Sequence, residues 1–399
     1  MGTTGFLDAG SGGRPGPAGP AASDEILAEY QFGVRLARAG DMAAARFALQ
    51  RVVNSGDPEL SPAAALDLGS VYKATGDTGP ARRAYETAVS SGHPEVAPLA
   101  ARDLGLLLRA AGQVRDAVAA YQRAVESGHL EAAPTAANNL GNLLADMGRV
   151  DDAIAAYRCA VASGHPWAGP ASALQLGSLL ECRGDLDGAR AAYQVAIDSG
   201  DRDHGPRAAA SLGEVLKQQG DLRGALAAYQ LAIESGHLDA APWAGLWRGA
   251  LLSQAGDIQG ELAALQPAMA SGHPDAAPRA ACMLGLALQR EGDFPGARHA
   301  FRVAIDSGHE QAAPPAAMNL AALLADQGDL NGARMACQLA IRSGHRDAAP
   351  RAAVLLGSVH ARQGDALGAR AAYKLAVDSG HAQAAPQAFA ELQKLGPPR

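Results

Sequence analysis

The sequence predicts an all-α fold, a solenoid of about ten stacked two-helix units. Three observations carry this. A Ser-Gly pair returns at Ser55, Ser91, Ser127, Ser163, Ser199, Ser235, Ser271, Ser307, Ser343 and Ser379, each step being 36 residues. A second phrase, Gly-Asp, keeps the same beat from Gly40-Asp41 to Gly364-Asp365, with Gly112-Gln113 and Gly148-Arg149 as variants. Between the phrases, apolar residues recur with a helical period. A strict repeat of this length means that each unit buries its apolar face only against its neighbours. Length alone suggests two or three globular domains. The repeat replaces that expectation with one array over residues 23–385.

Residues 94–128 show one unit. Leu104, Leu107 and Leu108 form the apolar stripe of a first helix (helix A), and Gly112 stops it as a left-handed C′ residue. Val114 to Glu126 reads as helix B, with Ala117, Tyr121, Ala124 and Val125 at i, i+4, i+7 and i+8. Gly128 then ends helix B. Asp77, Asp185, Asp221 and Asp293 sit where each would cap a helix B through backbone N–H groups.

The loop between units is the most regular part. Eight of the 11 histidines occupy its one position, after Ser-Gly, with Asp57 and Asp201 as substitutes. Pro58, Pro94, Pro166 and Pro274 follow, then an acid such as Glu59, Glu95 or Asp275, which suits the first turn of a helix. Neighbouring units stack about 10 Å apart, too far for the histidines to share a metal. Capping or bonding between units is therefore the expected role. Residues 1–22 are Gly/Pro-rich without periodicity and are expected to be disordered. Residues 386–399 are expected to supply a polar capping helix and a short tail.

Composition narrows the function. The chain holds 47 Gly and only 4% aromatics, which favours small-residue helix packing. A net charge of −7 argues against a nucleic-acid partner. No apolar run reaches membrane-spanning length, and the N-terminus has no signal-peptide pattern. Cys159, Cys182, Cys282 and Cys337 lack CxxC spacing, so reduced thiols and a cytoplasmic setting are expected. No phosphate loop, HExxH or GxSxG is present. The expectation is therefore a protein that is not an enzyme and carries no cofactor or metal.

In the second unit the repeat reads Leu68-Gly69-x-x-Tyr72, then Ala81, Tyr85 and Ala88. In the sixth it reads Leu212-Gly213-x-x-Leu216, then Ala225, Tyr229 and Ala232. This resembles the tetratricopeptide repeat over about residues 24–395, with a period longer than that family's usual length of about 34. The Gly-rich loops also resemble Sel1-like repeats. Physically, the recurring glycine at Gly69, Gly105, Gly141, Gly177 and Gly213 needs a packing reason, since Gly inside a helix costs about 1 kcal/mol against Ala. The ring at the Tyr85 position is expected to fill the space between helices A and B.

The resemblance implies a right-handed superhelix whose concave groove, lined by helix A, takes a protein or peptide. By phase the lining includes Arg102, Asn138, Asn139, Asn142, Gln175, Glu214, Lys217, Trp243, Trp247 and Asn319. Asn139 and Asn319 match the position where family members often use Asn to hold a ligand's backbone amide, and an amide side chain matches a peptide group in donors and acceptors. The seventh unit breaks the pattern. Arg248 replaces a Leu and Glu261 an Ala, which predicts an Arg248–Glu261 ion pair because a lone buried charge is costly. Leu265 replaces the ring, and Pro267 is expected to bend helix B. A small-molecule or enzymatic groove centred on this unit is the alternative function, and an RNA-reading array is a weaker one. The partner's identity and the oligomeric state are not written in the sequence.

Overall fold

The computed structural model describes residues 20–395. The expected disordered stretch, 1–22, lies outside the described residues up to position 19, and the first helix begins at Pro20. The described residues form helices, turns and no strand. They fall into two compact units, Met1–His204 and Gly205–Arg399.

The first unit holds α1 (Pro20–Arg38), α2 (Met42–Ser55), α3 (Leu60–Ala74), α4 (Thr78–Ser90), α5 (Val96–Ala110), α6 (Val114–Glu126), α7 (Ala132–Asp146), α8 (Val150–Ala162), α9 (Ala168–Cys182) and α10 (Leu186–Asp198). With the second come α11 (His204–Gln218), α12 (Leu222–Glu234), α13 (Ala240–Ala255), α14 (Ile258–Ala270), α15 (Ala276–Glu291), α16 (Phe294–Asp306), α17 (Ala313–Asp326), α18 (Leu330–Arg342), α19 (Ala348–Arg362), α20 (Ala366–Asp378) and α21 (Ala384–Lys394). Odd-numbered helices are A helices and even-numbered ones B helices. Each B helix from α2 to α8, and from α14 to α20, packs on the A helices before and after it, and α12 packs on α13.

The glycine in helix A answers to the ring in helix B. A Cβ built at Gly69 would lie 2.6 Å from the Tyr85 ring, and Gly105 faces Tyr121 in the same way. Tyr85, Tyr121, Tyr157, Tyr193, Tyr229 and Phe301 are the largest fully buried side chains. The ninth repeat shows the converse. Cys337 stands at the ring position, and Ala321 replaces the glycine. A smaller partner removes the need for a bare backbone.

Helix ends follow their local chemistry. Gly112 closes α5 at φ 72°, where a Cβ would be strained. Asp41, Asp185, Asp221, Asp257, Asp293, Asp329 and Asp365 each cap a B helix by accepting from a backbone N–H. Asp77, expected to do the same, does not. Its carboxylate is taken by Arg46 at 2.9 Å and the Thr75 hydroxyl at 3.0 Å.

The loop histidines both cap and link. His129 Nδ1 accepts from the N–H groups of Glu131 and Ala132, at 3.2 and 3.1 Å. Nδ1 is thus an acceptor, so the ring proton sits on Nε2, which donates to Glu95 of the preceding loop at 3.2 Å. His93–Glu59, His165–Glu131, His273–Asp239, His309–Asp275 and His381–Asp347 repeat the link. Asp201 caps α11 through the N–H groups of Asp203 and His204.

Candidate partner-binding face

The A helices of a unit lie side by side, so side chains pointing away from the B helices form one continuous face. In the first unit α3 packs on α5, α5 on α7 and α7 on α9; in the second α13 packs on α15, α15 on α17 and α17 on α19. Much of the polarity on this face is committed to the core tyrosines. Directly after the helix A glycine stands a residue that reaches the ring of its own B helix. Ser70 bonds Tyr85 at 3.2 Å, Tyr157 donates to Asn142 at 2.7 Å, Tyr229 donates to Glu214 at 3.2 Å, and Ser358 bonds Tyr373 at 3.2 Å. Tyr193 instead donates to Glu181, one turn further on, at 3.0 Å.

Where the B helix has no hydroxyl, the matching residue is apolar. Val34 faces Leu49, Ala250 faces Leu265, Leu286 faces Phe301 and Ala322 faces Cys337 by repeat phase. One unit breaks the match: Leu106 stands opposite Tyr121, whose hydroxyl is buried without a partner. Burial pushes the phenols of Tyr121 and Tyr157 up to about 12. This pairing was readable in the sequence, because polar residues at that position recur with tyrosine 15 residues later.

The phase-predicted lining residues therefore divide. Asn142 and Glu214 hold tyrosines, and Glu214 also binds Lys217 at 2.6 Å. Asn138 is 5% exposed and accepts from Ser172 at 2.9 Å, so it is a core residue rather than a lining one. Its position packs against the next A helix, which a polar side chain survives only with a buried partner. Arg102 binds its neighbour Asp103 at 2.8 Å. Asn319 bonds the Cys282 thiol, which burial pushes up to about 11. Asn139 is half-buried and Gln175 exposed, and neither side chain is hydrogen-bonded. Trp243 and Trp247 stack with ring centroids 5.7 Å apart, and Trp247 also meets Tyr229 at 6.1 Å. Trp247 remains 36% exposed.

The seventh repeat corrects an expectation. Glu261 is buried, 1% exposed, but it does not pair with Arg248. Arg290, from the end of the next A helix, places Nη2 2.7 and 2.6 Å from the two carboxylate oxygens. Glu261 sits in the first turn of α14 and opens toward the last turn of α15 rather than toward its own A helix. Arg248 Nε is buried without a hydrogen bond. Sequence reasoning missed Arg290 because its compensation comes from the following repeat. Helix α14 continues through Pro267. Ser253, Glu261, Met283, Leu286, Gln289 and Arg290 line a depression of about 490 Å³ there. Another buried carboxyl, missed by phase, is Asp67 of α3. It accepts from Tyr30 at 2.8 Å, and its second oxygen has no partner. Burial raises it to about 7. Among the described residues, no group of three or more His, Cys, Asp or Glu is placed to hold a metal ion. No described helix is long and apolar enough to cross a membrane.

Family models match most of the chain. The tetratricopeptide repeat model matches residues 66–137, 102–166, 138–204 and 174–242, and the tetratricopeptide repeat-like domain model matches 250–396. The chain belongs to the tetratricopeptide repeat family.

This tetratricopeptide repeat protein is similar to several solved structures. Pseudomonas aeruginosa PilF shares 19% identity, over 56% of this chain and 97% of that one, with a TM-score of 0.42. The C-terminal part of a repeat-containing protein from Cytophaga hutchinsonii shares 15%, over 63% and 98%, with a TM-score of 0.48. Yeast Tom70 shares 11%, over 94% and 96%, with a TM-score of 0.39. No curated protein matches the chain. Within the repeat frame, Asn139, Gln175, Trp243 and Trp247 are the predicted lining residues whose side chains are not consumed by a hydrogen bond or ion pair.

Proposed function

We propose that this chain is an interaction scaffold whose A-helix face binds a protein through an extended or helical peptide segment. The observation that carries this is the Trp243–Trp247 stack, two rings one turn apart on a single A helix that leave aromatic surface in solvent. Exposed Trp is enriched at binding hot spots. Asn139 supports it with a half-buried amide that has donor and acceptor capacity to spare. The alternative, a small-molecule or enzymatic site in the seventh repeat, has less behind it, because the acid and the base there hold each other. The test is a random peptide library displayed against the full chain. Amide hydrogen exchange then maps where the best binder sits. Protection along the odd-numbered helices is expected. Protection confined to the B helices or the His loops would overturn the proposal.

A further inference from the structure

On the A helices of both units some cations are held by carboxylates. In the first, Arg102 binds Asp103 and Arg109 binds Asp146 at 3.0 Å. In the second, Lys217 binds Glu214 and Arg290 binds Glu261. On the A helices of the second unit three cations have no carboxylate partner, and Arg248, with its Nε buried, is one of them. Arg279 is exposed, and its only recorded contact is with the Trp243 ring, 5.7 Å from the guanidinium carbon. Arg362 donates to the Ala325 carbonyl oxygen at 2.8 Å, with the exposed acid Asp326 next in sequence. Arg279 is the cleaner case. Asp275, one turn before it, is engaged by His309, and Asp239 by His273.

Beside Arg279 the face is apolar. Trp247 and Leu286 are 36% and 40% exposed, and Met283 lies between them on the face by repeat phase. From these we infer that the second unit takes a peptide segment that combines a carboxylate side chain with a large apolar one. This rests on the proposed scaffold function and specifies its partner. The carboxylate meets Arg279, whose guanidinium is held against Trp243 and so loses little freedom on binding. The apolar side chain covers Trp247, Met283 and Leu286. Arg279 and Leu286 are seven positions apart on α15, roughly 10 Å at about 1.5 Å per residue. An extended peptide rises about 3.3 Å per residue, so the acid and the anchor are about three positions apart when the segment runs along the helix.

The test uses dodecapeptides displayed at random and selected on the full chain at low salt. Enriched sequences are expected to carry Asp or Glu within about three positions of Leu, Ile, Met, Phe or Trp. One enriched peptide is then titrated against variants. Arg279→Glu is expected to weaken it about tenfold or more, and Trp247→Ala to weaken it as well. Arg302→Glu, the same charge change on an exposed site of helix B, is expected to change affinity less than twofold. Circular dichroism melts confirm that each variant folds. Equal losses for Arg279→Glu and Arg302→Glu would reduce the effect to net charge and overturn the inference. Enrichment without an acidic preference, in peptides that still protect the A-helix face, would sink this inference and leave the scaffold function standing. Binding mapped to the B helices, or no enrichment at all, would count against both.

Discussion

One substitution, Tyr to Phe, is expected to act with opposite sign in adjacent repeats. Tyr121 and Tyr157 occupy the same position of α6 and α8, both are buried, and both face a glycine of their A helix. The Tyr157 hydroxyl donates to Asn142 at 2.7 Å. The Tyr121 hydroxyl faces Leu106 and has no partner. A buried hydroxyl without a partner costs about 1–3 kcal/mol in lost hydration, whereas a satisfied one contributes about 0.5–1.5. Tyr121→Phe removes only the orphan, and Phe301 opposite Leu286 shows that the site accepts the bare ring. It is expected to stabilise by about 1–2 kcal/mol. Tyr157→Phe strips Asn142 of its partner and is expected to destabilise by about 1 kcal/mol. Because repeat arrays need not unfold in one step, urea titration is best read beside site-resolved hydrogen exchange in α5–α8. Tyr121→Phe proving neutral or destabilising, or the two variants behaving alike, would refute the reasoning.

Three further outcomes are expected. Asp67 titrates near 7 when folded against 3.8 unfolded, so its contribution is full below about 3.8 and is lost as pH rises through 7. Asp67→Asn is expected to remove that fall and to raise the melting temperature above pH 7, by an amount worth a few kcal/mol at most; a constant offset between the two melting profiles from pH 4 to 8 would contradict this. Arg290→Ala strands the buried Glu261 and is expected to cost about 3 kcal/mol, while the double variant with Glu261→Ala returns close to the parent stability; additive losses would remove the pair. His129→Ala is expected to cost about 1 kcal/mol and His129→Asn much less, since Asn restores the cap and the exposed link to Glu95 is weak; equal losses in chemical denaturation would show that capping is not its role.

The repeat made most of the fold legible. Period, cap chemistry and the glycine–ring pair are local rules copied through the chain, so helix α6 falls on the residues that its pattern predicts, Val114–Glu126. The face was less legible, because phase places a side chain on a surface without saying what it bonds. Asn138 and Asn142 share a composition and a helix with Asn139, yet one is held by Ser172 and one by Tyr157. Glu261 shows the same limit. Its replacement of Ala demanded a cation, but the geometry that chose Arg290 over Arg248 belongs to the next repeat. Asp77 lost its cap for a related reason, since Arg46 of the preceding repeat competes for its carboxylate.

The most direct measurement places a photo-crosslinking residue in turn at Gln175 and Trp247 on the A helices, and at Arg158 and Arg302 on the B helices, all exposed positions. Each protein is irradiated with a peptide selected on the parent chain. The account predicts a covalent adduct from at least one A-helix site, abolished by excess unlabelled peptide, and none from the B-helix sites. Competed adducts at Arg158 or Arg302, with none at Gln175 or Trp247, would contradict it.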